Sequence, residues 1–122
     1  MNNNPIGVYD SGFGGLSVWR ELHRALPDES LIYLGDGKNC PYGSLPAAQI
    51  RSLAEAAVGD LVQRGCKMVV VACNTATAAA ISHLYFSENS CAAFSRFFCI
   101  HAAVRTFLYW ERESNEKLSF CR

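Results

Sequence analysis

The sequence has no run approaching the roughly 20 apolar residues that cross a bilayer. Its opening, MNNNPIGVYDSG, has neither the charged segment nor the apolar segment of a secretion signal. No membrane partner and a cytoplasmic location are expected. Charge of one sign is not in excess either. Eleven basic residues balance eleven acidic ones, so no electrostatic feature points to nucleic acid or an anionic surface as a partner. Cys-x-x-Cys pairs are missing, and the six cysteines read as reduced thiols rather than a disulfide framework. Cys99-Ile100-His101 matches no metal-ligand spacing, and no metal is expected.

Glycine and proline are absent from residue 82 onward, although nine glycines and four prolines stand upstream. That segment instead holds clumped aromatics, as in FSRFFC and FLYWERE, with Cys91, Cys99 and Cys121. A compact fold of this length needs turn punctuation. The expectation is an α/β domain over residues 1–81 and an atypical tail over residues 82–122, non-native or disordered. Within the tail, AAVRTFLYWERE has a helical reading.

Upstream, the text alternates between strand and helix signals. PIGVYD is a short apolar run ending in Asp10, SGFGG supplies a turn, and Leu16, Trp19, Leu22 or His23 and Leu26 recur at helical spacing until Pro27. SLIYLGD is a second run, followed by the loop GKNCPYG. Ser44 is a candidate cap for a helix carrying Ile50, Leu53, Ala57 and Leu61, with Gly65 as its stop. KMVVVAC then reads as a strand buried on both faces, with Asn74 or Thr75 capping an alanine-rich helix. Three strands, each leading into a loop or helix, predict a layered α/β domain with a parallel sheet and flanking helices. Ligands sit outside the carboxyl ends of such strands. Asp10 and Ser11, residues 36 to 43, and Cys73 to Thr75 fall at those ends. An unpaired sheet edge after the third strand invites self-association.

Each rim residue has a plainer reading beside the functional one. Gly12 and Gly14 begin a dinucleotide-type G-x-G, but Ser17 stands where the third glycine belongs. A small-anion site on the free N–H groups of the helix start is preferred. Asp10 could simply cap that helix. Free cysteines usually pack as small hydrophobes, yet Cys73 closes a strand at a helix N-terminus, whose partial positive charge stabilises a thiolate. With Asp10 at the end of a neighbouring strand, a paired acid/base role follows. Cys40 is a second thiol candidate on the rim, and Cys66 reads as structural. A cysteine-hydrolase reading lacks its base, because His23, His83 and His101 do not stand at a strand end. From spacing alone, Tyr42 and Gly43 merely end a loop.

In this order and at these separations, GVYDSGFGGLSV, YLGDGKNCPYGS and VVVACNTATAAAI closely resemble the first part of bacterial glutamate racemase. The resemblance runs from residue 6 to about residue 81. It implies the first half of a two-domain enzyme that interconverts L- and D-glutamate without a cofactor and supplies D-glutamate for peptidoglycan. Two cysteines then face opposite sides of the substrate's α-carbon, and Cys73 matches the first. The resemblance further implies that Asp10, Ser11, Tyr42, Gly43, Asn74 and Thr75 contact the substrate, with Asp10 also assisting Cys73. Aspartate or another amino acid is a less favoured substrate.

The departures are as informative. Members of that family run to roughly twice this length, with a second α/β half that brings the other cysteine in a Cys-Thr-His motif. That motif does not occur after Ile81, and Cys91, Cys99 and Cys121 lack its neighbours. A slip of reading frame near residue 82 is the expectation. The alternative function is a catalytically inactive half-domain that at most binds a small amino acid.

Overall fold

The computed structural model describes residues 3–86, 96–101, 106–111 and 119–121. Strand β1 (Ile6–Asp10) pairs in parallel with β2 (Leu31–Gly35) on one side and β3 (Met68–Val71) on the other. All five β1 residues are buried, which is why that stretch carries no polar alternation.

Successive side chains leave a strand on opposite faces. Ile6, Val8 and Val70 pack with Val18, Trp19 and Leu22 of helix α1 (Leu16–Ala25). Tyr9, Val69 and Val71 belong to a second cluster, with Ile50, Ala54, Val58 and Leu61 of α2 (Ala47–Gln63) and Ala76 and Ala80 of α3 (Asn74–Phe86). The expected α/β arrangement of parallel strands and flanking helices is therefore present. On α2 the buried positions are Ile50, Ala54, Ala57, Val58 and Leu61, a single stripe at helical period. Burial of each large side chain in that stripe contributes about 1.5–3 kcal/mol. Gly65, at φ +79°, ends the helix in the left-handed region.

Ser44 does not cap α2. It lies in a single 3-10 turn, Tyr42–Ser44, and Pro46 stands at the cap position with φ −60°. Proline suits that junction because a helix start leaves its first N–H groups without intrahelical partners. In α1 the inward-facing stripe is shifted from the expected one: Leu16 and Leu26 are exposed, and the partly buried Val18, Trp19 and Leu22 face the sheet. Leu26 lies past the helix end, where its N–H closes the last turn onto the Leu22 carbonyl.

Strands also form beyond residue 82. β4 (Arg96–His101) pairs in parallel with β3, and β5 (Thr106–Glu111) and β6 (Ser119–Cys121) follow antiparallel. The sheet order is β2-β1-β3-β4-β5-β6. Three expectations are thereby corrected, the first being that His101 does not stand at a strand end: it closes β4. A strand replaces the helix at the centre of AAVRTFLYWERE, in keeping with the preference of Thr, Phe, Tyr and Trp for strands. The outer edge of β3 is not open, because β4 takes its backbone hydrogen bonds. Cys91 lies outside the described residues. Among the described residues, no helix is long and apolar enough to cross a membrane.

Candidate functional site

Because β1, β2 and β3 run in parallel, their carboxyl ends meet on one rim. A cavity of about 420 Å³ opens there, lined by Asp10, Ser11, Cys40, Cys73, Asn74 and Thr75 together with the glycine-rich turn before α1. A free amino acid fits within that volume.

Asp10 is the buried carboxylate of the rim. Its Oδ1 accepts the Ser11 N–H at 2.8 Å, and its Oδ2 accepts the Gly15 N–H at 2.7 Å. Charge-assisted bonds of this kind are short and strong. A Cβ on residue 15 would stand 2.7 Å from the Asp10 Cβ, so this approach requires glycine. These contacts take up two of the N–H groups around the turn on which the small-anion reading rests. The anion at the start of α1 is the chain's own Asp10, which satisfies the Gly15 donor and at the same time lines the cavity.

Tyr33 projects from β2 into the same turn. Its hydroxyl donates to the Gly12 carbonyl at 2.6 Å and stands 3.4 Å from Asp10 Oδ2. Burial, reinforced by the adjacent Asp10 charge, pushes the Tyr33 phenol up to about 12. It is a hydrogen-bond donor throughout the neutral range.

Cys73 sits between β3 and α3 and is 4 % exposed. The Thr77 N–H donates to its carbonyl at 2.9 Å, and the Ala76 N–H donates to its Sγ at 3.3 Å. Cys73 itself therefore occupies the cap position expected of Asn74 or Thr75. The thiol in turn donates to Ser11 Oγ at 3.3 Å. Although its side chain touches the core cluster, the sulfur meets the serine of the rim and borders the cavity. Cys40 is exposed and borders the same cavity. Cys66 is buried among core residues, and that burial pushes its thiol up, as a structural role requires.

Tyr42 and Gly43 do not line the cavity. Tyr42 is buried, and its hydroxyl donates to Asp36 Oδ2 at 2.6 Å while accepting from the Tyr9 hydroxyl at 2.8 Å. Burial first, and then the bond to Asp36, raise the Tyr42 phenol above the ordinary tyrosine value. Asn39 donates to both Asp36 oxygens at 3.0 Å, and the Asp36 N–H donates to the Asp10 carbonyl at 3.0 Å. Gly43 is exposed. Reading by residue type missed Tyr9, Tyr33 and Asp36 as supports of the rim. Their signal is a tyrosine one or three residues before the aspartate that closes each run, PIGVYD and SLIYLGD.

No family profile matches the chain. It is similar to the glutamate racemase of Corynebacterium diphtheriae, 58% identical over 84 residues, which are 69% of this chain and 32% of that protein. Among solved structures it resembles glutamate racemase from Thermus thermophilus in complex with β-chloro-D-alanine. There the TM-score is 0.70 at 42% identity, over 80% of this chain and 36% of the other. It also resembles glutamate racemase from Francisella tularensis in complex with D-glutamate, with TM-score 0.72 at 35% identity, over 81% and 36% of the two chains. The chain thus spans about a third of the length of the relatives it matches.

Proposed function

We propose, from a chain whose N-terminal two thirds belongs to the glutamate racemase family, that its rim is one half of a two-thiol proton-transfer site for glutamate. The observation that carries this reading is the contact of Cys73 Sγ with Ser11 Oγ at 3.3 Å, on a cavity shared with the Asp10 carboxylate.

In this reading Cys73 acts as a thiolate and takes the α-hydrogen of the amino acid as a proton. The C–H electron pair stays on the α-carbon, delocalised into the adjacent carboxylate, and the thiol forms. The carbanion-like state needs pre-placed donors. Ser11 and Thr75 supply hydroxyls and Asn74 an amide, all bordering the cavity. Tyr42 and Gly43 lie off this cavity, and Tyr42 braces the rim through its bond to Asp36. Asp10, held by two backbone N–H groups, assists Cys73 and faces the substrate. No cofactor enters this scheme. Return of the proton by Cys73 regenerates the same enantiomer, and delivery by a second thiol on the opposite face inverts the centre. D-Glutamate made this way would serve peptidoglycan synthesis in the cytoplasm.

Incubating the purified chain with L-glutamate in deuterated water tests the proposal. Deuterium at the α-carbon is expected, without inversion where Cys73 acts alone and with inversion where a second thiol takes part. Neither deuteration nor inversion would leave a domain that at most binds a small amino acid.

A further inference from the structure

We propose that Tyr33 is a positioning residue of this site, its hydroxyl pinning the Asp10-Ser11-Gly12 turn so that Ser11 stays against Cys73. The role rests on the proton-transfer reading above, in which Tyr33 has no part.

The turn between β1 and α1 carries two of the groups that meet substrate in that reading, and its backbone is tied down bond by bond. The Ser11 and Gly15 N–H groups go to Asp10, and the Phe13 and Gly14 carbonyls accept from Leu16 and Ser17. Gly12 is buried, so its carbonyl also needs a donor. The Tyr33 hydroxyl supplies it at 2.6 Å. That hydroxyl has one hydrogen, and the 3.4 Å separation from Asp10 Oδ2 is the weaker of its two contacts. Its main work is therefore on the turn rather than on the carboxylate.

The Tyr33 ring packs against the cluster of Ile6, Val8 and Val70, which Tyr33→Phe would preserve. The same change leaves the Gly12 carbonyl without its donor. To regain a partner the turn must lift toward water, and Ser11, adjacent to Gly12, moves off the Cys73 sulfur with it. Cys66 belongs to the same core cluster but precedes β3, whereas Cys73 follows it, so Cys66 reports general loosening.

The test compares the full chain with Y33F. Iodoacetamide is added, and alkylation of each cysteine is followed by peptide mass spectrometry. Cys73 is expected to react about threefold to tenfold faster in the variant, the population change one hydrogen bond commands, with Cys66 unchanged. An equal rise at Cys66 and Cys73, or no rise at Cys73, overturns the role. α-Deuteration of glutamate supplies the second readout: kcat is expected to fall with KM nearly constant, and a change in KM alone also overturns it. If the unmodified chain deuterates no glutamate, the proton-transfer reading fails by itself. The alkylation contrast still decides whether Tyr33 holds the turn.

Discussion

Tyr42 donates its phenolic hydrogen to Asp36 at 2.6 Å while its oxygen receives that of Tyr9 at 2.8 Å. One buried hydroxyl thus joins β1 to the loop after β2. Tyr42→Phe removes a donor from a carboxylate and an acceptor from a buried phenol. A destabilisation of about 1–3 kcal/mol is expected, read as a lower urea midpoint with an unchanged slope. An unaltered midpoint would show that the two partners find replacements.

Alkaline pH should loosen the fold through its tyrosines. Burial raises the phenols of Tyr9 and Tyr42 above their ordinary value of 10.0 and carries Tyr33 to about 12. Once the unfolded chain begins to lose these protons near 10, the folded chain still holds them. The unfolded state then binds fewer protons, and stability falls as pH rises. Below that value these groups are protonated in both states and their contribution is fully present. Melting temperatures should therefore decline above about pH 10, with phenolate absorbance appearing alongside unfolding. Phenolate forming in a chain that still melts at its neutral-pH temperature would contradict this.

Cys73→Ser should abolish most α-deuteration of glutamate, by about 10²- to 10⁴-fold, the usual contribution of a positioned base. Its thermal melt should stay close to that of the unmodified chain, because serine is smaller and retains a donor for Ser11. Full exchange in the variant would remove Cys73 from the chemistry.

Gly15→Ala places a methyl group 2.7 Å from the Asp10 Cβ and 3.2 Å from the Ala72 Cβ. Overpacking of this kind costs about 1–3 kcal/mol, and the displaced part is the Asp10 carboxylate. Loss of stability and of exchange together is the expected outcome, measured by calorimetry and deuteration. A variant with a normal melt would show that the turn has slack.

Residues 82–122 are proposed to be a tail unrelated to the racemase text. Translating the encoding DNA in the other two frames beyond codon 82 should yield a Cys-Thr-His motif. Its absence from both frames ends that proposal.

Much of the rim was legible because its signals are local. A strand buried on both faces leaves an unbroken apolar run, as at Val69 to Val71, and a glycine-rich turn after an aspartate marks a strand-to-helix junction. Asp10, Ser11, Cys73, Asn74 and Thr75 come together for that reason. What stayed hidden depends on long-range pairing. Tyr33 reaches a carbonyl 21 positions away and Tyr9 a phenol 33 positions away, and no local period encodes such partners. The tail misled for a different reason. Its aromatic clumps fit helix and strand alike, and the pairing of Val69 to Val71 with Phe97 to Cys99 is a tertiary decision.

Two backbone amides grip opposite oxygens of Asp10, so the carboxylate cannot rotate away when a guest arrives. The recess therefore presents acceptor oxygens at fixed positions rather than on a swinging side chain. An amino acid's ammonium would meet those acceptors already aimed, a partnership the corresponding keto acid has no group to make.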